Sequence, residues 1–147
     1  MALADDIRQL SEIAIFRHLD GEALRLLAFA AETKLLRTGD VLFREGQPSD
    51  GAFFLVTGAI DVQAARDGAP LRLTAPALLG EIALLADTER PATATTATPS
   101  TVRHITRALF HRVLAESPGG AEKIRAMLAA RIADYAADLA RFANDAE

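Results

Sequence analysis

A carboxylate and a guanidinium, Glu81 and Arg90, bracket the stretch GEIALLADTERPATA over residues 80–94. Gly80 permits a sharp turn into the segment that follows. Residues 81–85 predict a short helix whose first N–H groups have no partner within it, and such a helix start attracts anions. Arg90 offers a planar fork suited to bidentate contact with a phosphate. Glu81 would repel a bare phosphate, but it can accept a hydrogen bond from a hydroxyl. The pair therefore suits a ligand carrying both groups, as a sugar phosphate does. The stretch is not a P-loop, because no Gly-Lys-Ser/Thr follows. A ligand-free reading stands beside this one. In it Glu81 favours the helix dipole, Ile82, Leu84 and Leu85 are core, and residues 89–91 form a solvated turn.

Such a pair needs a scaffold. Residues 3–18 read as helical, with Ile7, Leu10, Ile13 or Ala14, and Phe16 on one side. Asp20 caps a second helix in which Leu24, Leu27, Ala28 and Ala31 form a buried stripe. The period then changes. Gly39-Asp40, Gly46, Pro48, Asp50-Gly51 and Gly58 punctuate short apolar runs at 41–43, 53–56 and 60–63, the pattern of a β-sandwich or barrel. Asp67-Gly68 predicts a hairpin turn joining residues 60–64 to 71–74. Residues 93–97 and 101–105 read as two more strands around Pro99. The helical period returns from Arg107. A short helix is expected to stop at Pro118-Gly119-Gly120, followed by a longer one over 121–143. There Leu128, Ile132, Tyr135, Leu139 and Phe142 step at heptad spacing.

Composition narrows the function classes. The chain has 147 residues and no cysteine, so thiol chemistry, disulfides and thiolate metal sites are excluded. Its net charge of -4 argues against general nucleic-acid binding. The longest apolar runs fall far short of the roughly 20 residues of a membrane span. The start, MALADDIRQL, has two acids and no basic region, unlike a signal peptide. A soluble cytoplasmic protein is the expectation. His18, His104 and His111 have no carboxylates at ligand spacing, so no metal site is expected. Arg103, Arg107 and Arg112 read as solvated surface, and Phe43, Phe53, Phe54 and Phe110 as core.

GEIALL followed by RPAT closely resembles the phosphate-binding cassette of cyclic nucleotide-binding domains. These are the sensor modules of the catabolite activator protein, the protein kinase A regulatory subunit and cyclic nucleotide-gated channels. LLRTGDVLFREGQPSDGAFFLVTGAIDV is similar to the first half of the family's jelly roll, and SEIAIFRHLDGEALRLLA to its N-terminal helices. RALFHRVLAESP and the helix after it resemble its closing helices. The resemblance runs from about residue 10 to residue 140.

The resemblance implies a mainly β fold with flanking helices: a β jelly-roll barrel with N-terminal helices, a C-terminal hinge and a long helix. It implies a single domain over 1–147. Helices occupy 1–33, the jelly roll 34–105 with its cassette at 80–93, and the closing helices 106–147. It implies that Glu81 binds a ribose 2′-hydroxyl and Arg90 the cyclic phosphate. Backbone amides around Ile82 and Ala83 complete the cradle, Gly80 makes the turn, and Pro91, Ala92 and Thr93 follow. Tyr135 is either a seam residue or a base contact, and Leu73 either an apolar wall for the base or core.

Two departures from the family pattern stand out. Pro91 replaces the Ser, Thr or Ala of many relatives and offers neither hydroxyl nor N–H, which tilts the expectation toward cAMP over cGMP. The segment LTAPALLGE is shorter than the usual turn before the cassette. After Pro118 the expectation is one helix, with no helix-turn-helix and no basic face. The resulting expectation is a non-enzymatic regulatory module that binds a cyclic nucleotide, without other cofactor. It would relay binding through its last helix to a homodimer interface or an unidentified effector protein. The alternative is the same fold serving as an interaction module without ligand.

Overall fold

The structure, a computed structural model, describes the backbone of residues 2–64 and 69–145, and side chains over 5–64 and 69–134. The chain begins with α1 (Ala2–Leu10), a 3-10 turn (Ala14–His18) and α2 (Gly21–Ala30). Eight strands follow: β1 (Glu32–Leu36), β2 (Val41–Phe43), β3 (Gly51–Thr57), β4 (Ala59–Gln63), β5 (Leu71–Thr74), β6 (Ala77–Leu79), β7 (Thr93–Thr96) and β8 (Ser100–Thr106). Between β6 and β7 lies a second 3-10 turn (Glu81–Leu84). Two helices close the chain, α3 (Arg107–Ala115) and α4 (Pro118–Asp145). The strands form two antiparallel four-stranded sheets, ordered β1-β8-β3-β6 and β2-β7-β4-β5. The architecture is the jelly roll with flanking helices that the sequence predicts.

Local chemistry explains most elements. Asp20 Oδ1 accepts the Ala23 N–H at 3.0 Å, so α2 starts where its cap stands. Thr106 caps α3 in the same way through Leu109 N–H. Strand β3 reads GAFFLVT and is buried on both faces for most of its length, which accounts for its unbroken apolar run. Ala52 and Phe54 pack with the helices, alongside Phe16, Leu27, Ile105 and Phe110. Phe53 and Leu55 face the space between the sheets, with Phe43, Ile60, Leu79, Ala94 and Val102.

Several expectations need correction. The helix expected over 3–18 breaks after Leu10, because the Arg17 side chain donates to the carbonyls of Ser11 and Glu12 and satisfies them off the helix. Strands β1 and β6 were not expected. β1 is an edge strand with a largely exposed side-chain pattern, so it shows no alternation, and it places the end of the leading helices nearer residue 31 than 33. β6 is three residues long and lies within LTAPALLGE, held by pairing with β3. The short helix does end before Pro118, as expected, but residues 118–120 are themselves the first turn of the long helix. Pro118 occupies the first turn, where its missing N–H costs nothing. A Cβ on Gly120 would collide with the His18 carbonyl, so glycine lets α4 approach the first 3-10 turn. The β4–β5 pairing is as expected, with Ile60 opposite Leu73, but Asp67-Gly68 lies outside the described residues.

Candidate functional site

The turn Glu81–Leu84 is entered through Gly80, whose φ of 75° is left-handed. A Cβ there would meet Nη1 of Arg90, so glycine is required both by the backbone and by the close approach of the arginine. The turn is anchored from below, because Leu84 is fully buried in the helix-side core while Glu81 remains partly exposed. Arg90 is positioned by its backbone, which donates to Gln47 O at 2.7 Å and accepts from Gly46 N–H at 2.8 Å. The Gly46 loop thus clamps the residue on which the cation is carried.

The Arg90 side chain turns inward, and the residue is only 5% exposed. Its guanidinium carbon lies 4.4 Å from the Phe43 ring centre and 5.6 Å from that of Phe53. These ring faces attract the cation but accept no full hydrogen bond. Nη1 of Arg90 is the one buried side-chain polar atom without a hydrogen-bond partner among the described residues. Burial lowers the Arg90 pKa from its ordinary value, Asp50 acts in the opposite direction, and the neighbouring charge of Arg107 lowers it further. A buried guanidinium remains charged at neutral pH and retains an unmet demand for an acceptor.

A cavity of about 190 Å³ opens beside this group. Gly80, Glu81, Ile82, Ala83, Arg90 and Pro91 line it, joined by Ser49, Thr88 and Glu89. Six of the expected site residues therefore meet around one space. Ser49 and Thr88 gave no signal in the sequence. They are brought there by pairing between the two loops, with Ser49 N–H donating to Thr88 O at 3.0 Å. The Ala83 N–H already donates to Gly80 O at 3.1 Å, so a ligand at Ala83 would have to share it. Glu81 is ion-paired with Arg131 of α4.

Other expected residues stand elsewhere. Ala92 is buried and is not part of the cavity lining. Thr93 lies on a separate, larger cavity on the outer face of the β2-β7-β4-β5 sheet, and its Oγ1 accepts the Glu45 N–H at 3.0 Å. The alternation along β7 turns it away from the cassette. Leu73 is partly buried against the apolar cluster between the sheets. The Tyr135 side chain lies outside the described residues.

Two further readings are corrected. Arg103 and Arg107 are not solvated. Arg103 donates to the carbonyls of Ala28 and Ala31 and to Asp6, closing the C-terminus of α2, whereas Arg112 is exposed as expected. His104 does have a carboxylate nearby, with Nε2 3.0 Å from Asp50 Oδ1. Among the described residues no cluster of three or more potential ligands could hold a metal ion, and no helix is long and apolar enough to cross a membrane.

Comparison with known proteins identifies the family. A model of the cyclic nucleotide-binding domain matches residues 33–117. The chain is 31% identical over 113 residues to a cyclic nucleotide-gated potassium channel of Rhizobium etli, covering 77% of this chain and 31% of the channel. It is 31% identical over 104 residues to a cAMP-dependent protein kinase regulatory subunit of Blastocladiella emersonii, covering 68% of this chain and 26% of that one. The chain thus spans under a third of these relatives. Among solved structures it resembles a cyclic nucleotide-binding-like protein from Brucella abortus, with 42% identity and a TM-score of 0.69 over 76% of this chain and 99% of the other. The sensor domain of the transcriptional regulator DNR from Pseudomonas aeruginosa shares the fold, with a TM-score of 0.74 at 21% identity over 90% of this chain and 92% of the other. The matched segment contains both sheets' core strands and the whole Gly80-to-Arg90 cavity, and the chain belongs to the cyclic nucleotide-binding domain family.

Proposed function

We propose that the protein is a regulatory sensor of a cyclic purine nucleotide, cAMP in preference to cGMP. One observation carries the reading: a buried Arg90 with Nη1 unpartnered, beside a cavity that also presents the Glu81 carboxylate. A cyclic phosphate supplies the acceptor that Arg90 lacks, and a ribose hydroxyl supplies the donor that Glu81 takes. Gly80 holds the turn, and Ile82 and Ala83 contribute backbone. Leu73 does not line the cavity and packs against the cluster that contains Phe43 and Phe53, which supports its reading as core over that as a wall for the base. Pro91 offers no hydroxyl, and the Thr93 hydroxyl is engaged on the other face. That pocket chemistry favours the nucleotide that needs no such donor.

The relay follows from what the cassette touches. Leu84 is packed with Phe110 and Leu114 of α3 and with Leu128 of α4. Glu81 holds Arg131 of α4. A ribose hydroxyl competes with Arg131 for Glu81, so binding shifts the population of α4 positions. Because Leu128 is buried in its own domain, the output lies further along α4, toward a second copy or a cytoplasmic effector protein.

Isothermal titration of the purified protein with cAMP and, separately, cGMP tests this. Micromolar binding is expected, with cAMP the stronger ligand. Arg90→Ala is expected to weaken it at least about a hundredfold, since each hydrogen bond to a charged group contributes roughly 1.5–3 kcal/mol. No heat with either nucleotide, together with an unchanged melting temperature, would overturn the proposal and favour an interaction module without ligand.

A further inference from the structure

The Arg107 side chain reaches from the first turn of α3 to the back of the cassette. Its Nε donates to the Ala83 carbonyl at 2.9 Å. Its Nη2 donates to the carbonyls of Ser49 at 2.8 Å and Ala86 at 3.0 Å. Its backbone N–H donates to the Asp50 carbonyl at 2.6 Å. Ser49 and Ala83 stand on two walls of the same cavity. They come from loops far apart in sequence, and the pairing of Pro48 with Glu89 and of Ser49 with Thr88 joins the far end of the cassette rather than the turn Glu81–Leu84. Within the turn the Ile82 carbonyl accepts the Leu85 and Ala86 N–H groups, whereas the Ala83 carbonyl, and that of Ala86 just beyond the turn, take the Arg107 guanidinium. The planar fork aims donors on separate nitrogens at acceptors in two loops; an ammonium also has three donors, but they radiate from one compact nitrogen.

We propose that Arg107 is a positioning residue for the ligand site. It sets the distance between the Ser49 and Ala83 walls, and it ties any movement of the cassette to the first turn of α3. Its role in binding rests on the nucleotide reading above; its role in holding the cassette does not. Because Arg107 is the residue at which α3 begins, a cassette drawn inward onto an anion pulls the start of α3 with it. Neither Glu81 nor Arg90 provides this connection, since Arg90 makes its backbone bonds to the Gly46 loop and the Glu81 carboxylate pairs with Arg131 of α4.

The test uses the full chain with Arg107→Met and the milder Arg107→Lys. Hydrogen exchange of the protein without added nucleotide is read first. Amides of residues 81–87 and 48–50 are expected to exchange at least about tenfold faster in Arg107→Met, with β3, β8 and α2 unchanged and Arg107→Lys intermediate. Titration with cAMP is read second. Affinity is expected to fall about tenfold in Arg107→Met, the equivalent of roughly one hydrogen bond to a charged group. Third, saturating cAMP is expected to change exchange at the start of α3 in the wild type, to change it less in Arg107→Lys and to leave it unchanged in Arg107→Met. Unchanged cassette exchange in both variants overturns the proposal. So does loosening of the whole fold in Arg107→Lys, which would make the residue a general structural brace. If the wild type binds no cAMP, the nucleotide reading fails, and the first exchange measurement still decides whether Arg107 holds the cassette.

Discussion

The two faces of β3 are built from neighbouring residues and do opposite jobs. On the helix side, Ala52 and Phe54 meet Phe16, Leu84, Ile105 and Phe110, all fully or nearly fully buried. The Phe16 and Phe110 rings are 6.4 Å apart and tilted, an arrangement that needs nothing more. On the barrel side, Phe53 stacks near Phe43 at 6.1 Å, and the guanidinium of Arg90 lies over both rings. One face is complete by itself. The other holds a cation whose hydrogen bonding is unfinished. Burial on both faces is similar, so burial alone does not separate core from site. The presence of an unmet donor does.

Substitution should pull the two faces apart. Phe110→Ala, on the complete face, should cost roughly 3–5 kcal/mol of stability. Chemical denaturation would show it, and nucleotide affinity measured well below the transition should hardly change. Arg90→Met should do the reverse. Binding should be lost by at least about a hundredfold. The melting temperature should stay level or rise, because an apolar side chain replaces a buried charge without a full set of partners. A large drop in melting temperature would mean that the aromatic faces hold Arg90 for stability, and the contrast between the faces would dissolve. Gly80→Ala lies between these cases. The left-handed backbone alone costs about 1–2 kcal/mol, and the added methyl displaces Arg90, so calorimetry should show both a lower melting temperature and weaker binding.

The smallest effect is expected far from both faces. Asp61 accepts Arg72 Nε at 2.8 Å on the exposed side of the second sheet. That hydrogen bond lowers the Asp61 pKa, against a weaker opposing effect of burial, and the Arg72 charge lowers it further. A depressed carboxylate contributes stability that is present above its unfolded pKa and lost as pH falls through the folded one. NMR titration should place the Asp61 midpoint below the usual range, and Arg72→Ala should move it back up, with hardly any change in stability at neutral pH because the pair is solvated.

What could be read from the residues alone, and what could not, follows from range. Strand β3 was legible because Asp50-Gly51 and Gly58 bracket an apolar run. Helix α2 was legible because Asp20 precedes a regular stripe. β1 was not, since an exposed edge strand carries no alternation and is held by its register with β8, Glu32 opposite His104. Arg103 and Arg107 looked like surface because three residues, His104, Ile105 and Thr106, separate two cations and nothing local marks either as buried. Their acceptors are carbonyls at the end of α2 and in the cassette, which no local pattern announces. Thr93 was included in the site through the resemblance of RPAT to the cassette, and strand alternation turns it to the other face.

The sequence by itself determined the order of helices, barrel and helices, and the Gly80, Glu81 and Arg90 spacing of the cassette. Periodicity, capping and turn chemistry act over a few residues, so those features are written where they occur. Only the tertiary structure decided which arginine would be left wanting a partner. Hydrogen-bond satisfaction is a sum over groups from distant segments. Arg107 finds three carbonyls in two loops, while Arg90 finds two aromatic rings and no acceptor for Nη1.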